Sequence, residues 1–208
     1  MRMISPSLRL LLVVTLLQGL ASAQDPIKAR TEAGKEVQLY SDGRWKYSEE
    51  KKSAPTANKV HSKPASAESR IKTPGGNFEI WMDENKWSKT ADESGRISFK
   101  LKMGDVYALL ISEEIPIGMA SLKEIAIENA KKAGTDFTLL AEDNRNVNGR
   151  GVVSMKFNIT VRTIQLTYFG YYYGGKEGAI QVICYTGQNL FDKYEREITE
   201  FLDGLTIP

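Results

Sequence analysis

Cysteine and histidine are almost absent: among 208 residues there is one of each, Cys184 and His61. A lone cysteine closes no disulfide within the chain. Ile180 and Val182, at two-residue spacing, put Cys184 on an apolar strand face, where a thiol behaves as a small hydrophobe. A single histidine in a linker-like stretch excludes Ser-His-Asp and Cys-His arrangements and any histidine-rich zinc site. An excess of either charge is also missing, with 28 Lys and Arg against 26 Asp and Glu. That balance lacks the basic footprint of a nucleic-acid binder, so no nucleic-acid partner is expected. Long apolar runs are short too. Leu10 to Leu17 falls well below the roughly 20 residues that a spanning helix needs.

That short run has a different reading. Arg2 and Arg9 form a basic lead, Leu10 to Leu17 an apolar centre and Ala21-Ser22-Ala23 a small-residue cut site, so residues 1–23 are predicted to be an export signal. No cysteine lies near the cut, which excludes lipid attachment there. The mature chain is expected to start at Gln24, without a transmembrane span, in the periplasm or outside the cell. Its charge is then balanced, since both leader arginines leave.

Residues 24–47 read as a small hairpin. Asp42-Gly43 is a two-residue turn signal, because a type I′ turn needs positive φ at both positions. Centring the turn there pairs Tyr40 with Trp45 and Gln38 with Tyr47, and gathers Tyr40, Trp45 and Tyr47 on one aromatic face. That face either docks on its own chain or serves a partner. Residues 48–75 are rich in Ser, Ala, Lys and Pro with few large apolar side chains. They are expected to form a disordered linker, since such a stretch buries too little to offset about 1–2 kcal/mol of backbone entropy per residue.

Residues 76–208 carry the patterning of a folded domain. Phe78, Ile80 and Met82 alternate with polar neighbours, as do Ile97, Phe99, Leu101 and Met103. Ser121 with Glu124 has capping-box spacing ahead of a helix with Leu122, Ile125, Ala126, Asn129, Ala130 and Ala133 on its inner stripe, and Gly134 is expected as its left-handed cap. Asn148-Gly149 predicts a turn into Val152 to Thr186, the stretch densest in β-branched and aromatic residues. There Val153, Met155, Phe157 and Ile159 form an apolar face opposite a wet one of Ser154, Lys156, Asn158 and Thr160. A last helix starts at Asn189 as N-cap, with Leu190, Tyr194, Ile198, Phe201 and Leu202 on one face and Gly204 beyond its end. Short turns between strands favour antiparallel pairing, so the fold class is α+β: an antiparallel sheet with packed helices.

The chemistry is less legible. The acidic pairs Asp92-Glu93, Glu113-Glu114 and Glu142-Asp143 lie beside turns or strand ends, and adjacent strand residues point to opposite faces. Lys100, Lys102, Lys156 and Arg162 fall on polar strand faces as solvated charge or a weak anion-binding surface. Tyr171, Tyr172 and Tyr173, just ahead of the loop Gly174 to Gly178, are either core or a half-exposed contact tip. No cofactor is implied.

Several of these motifs together resemble the PsbP-like fold family. They are Gly95-x-Ile97-x-Phe99, the helix Ser121 to Ile125, the turn Asn148-Gly149, the strand Ala179 to Val182 and the closing helix with Leu202-Asp203-Gly204-Leu205. The N-terminal Asp42-Gly43-x-Trp45-x-Tyr47 is similar to short DGxWxY segments of secreted bacterial proteins. The family resemblance implies an antiparallel sheet with helices against it, and non-catalytic binding or assembly. No family metal or catalytic residue transfers onto this chain. The expected function is therefore a non-enzymatic secreted or periplasmic module for a protein or envelope component; the alternative is a carboxylate-based hydrolase or transferase acting on an envelope substrate.

Overall fold

A computed structural model describes residues 27–30, 36–40, 43–47, 60–74, 77–93 and 95–208. The predicted export signal lies outside them. The chain divides into two compact units, Met1–Pro55 and Thr56–Pro208. Among the described residues no helix is long and apolar enough to cross a membrane.

In the first unit, β1 (Ile27–Arg30), β2 (Glu36–Leu39) and β3 (Trp45–Tyr47) form a three-stranded antiparallel sheet. The expected hairpin thus gains a strand, and its register shifts by one. Leu39, not Tyr40, lies opposite Trp45, and Val37 lies opposite Tyr47. The cause is the turn. The Tyr40 amide donates to the Arg44 carbonyl at 2.9 Å and the Gly43 amide to the Tyr40 carbonyl at 3.0 Å, with Gly43 at φ +81°. This is a three-residue loop closed by a glycine bulge instead of a two-residue turn.

The second unit is built on an eight-stranded sheet ordered β4-β10-β11-β12-β13-β9-β8-β7. Its strands are β4 (Val60–His61), β7 (Trp87–Glu93), β8 (Arg96–Leu101), β9 (Tyr107–Glu113), β10 (Thr135–Val147), β11 (Arg150–Val161), β12 (Ile164–Gly175) and β13 (Gly178–Gly187). All neighbours pair antiparallel except β4 and β10. A second sheet, β14-β6-β5, joins β5 (Ser69–Lys72), β6 (Glu79–Met82) and β14 (Leu205–Thr206). The helices are α1 (Met119–Ala133) and α2 (Phe191–Leu202). The α+β class is the one expected.

Strand alternation sorts the side chains into two cores. Ile97, Phe99, Ala108, Leu110, Ile180, Val182 and Cys184 face α2 and the small sheet, whose Phe78, Ile80 and Met82 close that side. Val153, Met155, Phe157, Ile159 and Tyr172 face Leu122, Ala126 and Ala130 of α1. The supposedly wet face of β11 is covered as well. Ser154 is buried, and the Lys156 ammonium sits 3.8 Å from the Phe191 ring centre.

Three local expectations are corrected. Residues 48–75 are not all linker: from Val60 the chain enters β4 and then β5, because these strands extend the edges of sheets whose neighbours supply the missing hydrogen bonds. Neither predicted helix cap forms. α1 starts at Met119 because Ile117 and Met119 already pack against the second core, and α2 is entered from a 3-10 turn, Gln188–Leu190, that contains Asn189. Gly134 is extended, at φ −164°, and its role is close approach: a Cβ there would meet the Thr160 carbonyl. The left-handed residue is Asp136 at φ +55°. The Asn148-Gly149 turn forms as predicted, both residues at positive φ.

Gly134→Ala is therefore expected to destabilise the domain by about 2–3 kcal/mol in denaturant unfolding, the upper range for overpacking, while Asp136→Gly is tolerated. The opposite order would restore the left-handed cap at Gly134.

Candidate binding surface

The tyrosine trio separates at once. Tyr171 and Tyr172 are fully buried, one in each core. Their predicted role as an exposed contact tip is thus corrected, because both faces of β12 are covered where they stand. Tyr173 is half-buried; its ring meets Phe78 edge-on at 6.0 Å and its hydroxyl donates to Glu177 Oε2 at 2.6 Å. Asn77 Nδ2 donates to the Glu177 carbonyl at 3.0 Å, so the loop is tied back to the domain. In the first unit Tyr40 is half-buried. The backbones of Trp45 and Tyr47 lie in β3, and their side chains are outside the described set.

Tyr171 belongs to a polar junction that the sequence did not reveal. Its hydroxyl donates to Asp203 Oδ1 at 2.8 Å and accepts from Arg145 at 3.2 Å. His61, placed by sequence in a linker, sits on β4 with Nδ1 3.1 Å from the same Asp203 carboxylate, a contact that needs the proton on Nδ1. Asn148 completes the seam. Its side-chain nitrogen donates to the carbonyls of Asp203 (2.8 Å) and Leu205 (2.7 Å), and its amide to the His61 carbonyl (2.8 Å). β4, the β10–β11 turn and the chain after α2 are thereby locked together. The side chains of His61 and Asp203 are 10% and 15% exposed, which makes this a structural lock and not an open site.

The acidic pairs do not converge: Glu142 bonds Lys123 at 3.0 Å and Asp92 bonds Lys89 at 2.9 Å. Nor do the basic residues gather on one surface. Lys156 leans on α2 beside Glu195, while Lys100 lies 5.4 Å from the Tyr107 ring centre.

Among the described residues, half of one sheet face has no helix or sheet packed on it, and its aromatic and aliphatic side chains are half-buried. α1 covers β10, β11 and β12 on that face through the second core. Beyond it, strand pairing lays out a grid: Tyr168 opposite Tyr185 opposite Tyr107 opposite Lys100, then Ile183 opposite Leu109 opposite Ser98, then Gln181 opposite Ile111 opposite Arg96. The aromatic row continues under the helix through Phe157 and Phe137. Neighbouring rings stand 5.0–5.4 Å apart, and the four from Phe157 to Tyr107 are nearly parallel. That separation is close to the inter-strand spacing, so the rings stand on edge, face to face.

Phenylalanine fills the row where the helix lies and tyrosine where it ends. Among the described residues, the hydroxyls of Tyr107, Tyr168 and Tyr185 bond to no protein group and none is buried unpaired, so they meet water. Burial, then Tyr185, pushes Tyr168 up to about 12, and burial also raises Tyr185 while Arg96 pulls it back. Burial raises Tyr172 further.

No protein-family model and no curated protein matches the chain. Solved structures do. A cyanobacterial PsbP from Synechocystis is 12% identical over 70% of this chain and 95% of its own, with a TM-score of 0.50. A Ran-binding protein of Saccharomyces cerevisiae is 5% identical over 67% and 94%, at 0.48. A Bacteroides thetaiotaomicron protein is 14% identical over 71% of this chain, at 0.44, and the chain spans about half of it, 49%. At 12% identity the likeness to PsbP is one of fold, a large antiparallel sheet with helices against it.

Asp203→Ala is expected to cost about 3 kcal/mol, because it leaves the Tyr171 hydroxyl proton and His61 Nδ1 without their acceptor. Asp203→Asn, which keeps an acceptor, should cost less, and additivity of Asp203→Ala with Tyr171→Phe in a double-mutant cycle would contradict the shared network. The raised tyrosines fix the sign at alkaline pH. Above about pH 10 the unfolded chain loses phenolic protons that the folded chain keeps, so stability falls as pH rises from there. Denaturant unfolding at stepped pH should show this fall, shallower in Tyr172→Phe.

Proposed function

We propose that the protein is an exported, non-catalytic binding module whose working surface is the open half of the main sheet. The observation that carries this reading is the change from Phe to Tyr along the aromatic row where α1 ends. Cross-strand aromatic pairs stabilise the sheet by roughly 0.2–1 kcal/mol each, and a half-exposed tyrosine, with two side-chain torsions, is in addition ordered at low entropic cost in a contact. The half-buried Leu109, Ile111 and Ile183 add apolar area beside it. Export rests on the composition of residues 1–23, and the PsbP-like fold supports a binding or assembly role by analogy alone.

A photo-crosslinking residue at Ser98 on the open face is expected to capture a defined protein in the native envelope. The same residue at Lys176, in the β12–β13 turn, should not. Equal capture at both positions, or capture at Lys176 only, would place the working surface elsewhere.

A further inference from the structure

The main sheet ends on β10, and the geometry points to what closes that end: the same strand of a second copy of this chain, paired antiparallel about a two-fold axis. This surface is separate from the open half-face, so the inference stands or falls apart from the binding-module reading.

β10 bonds to β11 along its inner side. Along its outer side, among the described residues, only β4 pairs with it, at Asn146 and Val147. That contact shows that the edge takes a strand, and it stops short of a long free stretch, since Thr138 to Asn144 are all exposed. There Leu139 and Leu140 are 39% and 49% exposed, and among the described residues no other exposed large hydrophobics are neighbours in sequence. Lysine and proline commonly blunt an edge that stays single, and β10 has neither from Thr135 to Val147.

Which backbone groups are free follows from the register. Val147 and Arg150 close a two-residue turn as a hydrogen-bonded pair, and Arg145, Asp143 and Ala141 bond inward in the same way. Asn144 and Glu142 therefore turn N–H and C=O outward. The bulge between Leu139 and Ala141 shifts this alternation by one, so the next outward residue is Leu139. An ordinary strand, with outward groups at every second residue, does not follow the three-residue step from Leu139 to Glu142. A second β10 carries the same step in reverse.

About an axis midway between Leu140 and Ala141, Leu139 of one copy lies opposite Glu142 of the other, Leu140 opposite Ala141 and Thr138 opposite Asp143. The outward groups of Leu139 and Glu142 then meet on both sides of the axis, apolar side chains flank it, and no two acidic residues stand opposite. Glu142 and Asp143 also bring their own cations, Lys123 at 3.0 Å and Arg145 at 3.9 Å. Self-complementarity of this kind is what an isologous dimer requires.

The test uses the mature chain in sedimentation equilibrium, which should show a concentration-dependent dimer. Leu140→Lys, at an exposed position beside the axis, should weaken that dimer at least about 10-fold while circular dichroism stays unchanged. A second measurement reads the register. Thr138 and Asp143 of opposite copies form a non-hydrogen-bonded pair, with Cα atoms about 4.5 Å apart and within disulfide range. Thr138→Cys with Asp143→Cys should therefore oxidise to a covalent dimer, and neither single variant should do so; Cys184 is buried and does not compete. A chain that stays monomeric at every concentration would overturn the inference, as it would if residues before Val60 occupied the edge instead. A dimer indifferent to Leu140→Lys, or cross-linking by a single variant as efficient as by the pair, would overturn it equally.

Discussion

Everything in this domain depends on the two-residue period of β12 and β13 between two covered faces. Tyr171 and Tyr172 are neighbours in sequence, yet one seals the core under α2 and the other the core under α1. A single-residue slip in this strand would exchange both sets of side chains. With the register fixed, the number of covering elements decides what stays open. α2 and the small sheet together close one face, while α1 alone covers only part of the other. The uncovered strip is thus a consequence of topology, and its tyrosines are what the chain places there.

The seam at Asp203 is the second constraint. One carboxylate holds Tyr171 and His61, and Asn148 ties the neighbouring backbone, so four chain segments far apart in sequence converge. The network is well satisfied, which is the condition under which buried polar groups rigidify a fold. It also explains why the only histidine lies where it does: its partner is a structural carboxylate adjacent in space and 142 residues away in sequence.

Strands of strong alternation were legible from sequence: β6, β8 and β11 bury the residues their patterns indicate, except Met103, which lies past the end of β8 and is exposed. The inner face of α2 is as expected, while in α1 only Leu122, Ala126 and Ala130 of the expected stripe are buried and Ile125, Asn129 and Ala133 are exposed. Helix starts and the Gly134 cap were not. Ser121, Glu124 and Gly134 satisfy local rules, but tertiary packing extended the first turn of α1 and required glycine for a close approach to Thr160. β4 has two residues and β5 four, too short for any periodicity, so both were absorbed into a linker. The tyrosine tip failed for a related reason. Proximity to glycines suggests exposure, but whether a strand end is covered depends on elements distant in sequence. The row Phe157, Tyr168, Tyr185, Tyr107 could have been found only by pairing strands β11, β12, β13 and β9 in register, and β9 joins β13 across α1 and three strands.

The most direct test of the central claim is a resonance map on the mature protein. Isoleucine and leucine methyl signals and tyrosine ring signals would be followed while the partner captured at Ser98 is added. The account predicts that the shifts concentrate on Leu109, Ile111, Ile183 and the rings of Tyr107 and Tyr185, with Tyr171 and Tyr172 undisturbed. Shifts centred on Tyr173 and its loop, or on the outer edge of β10, would contradict it.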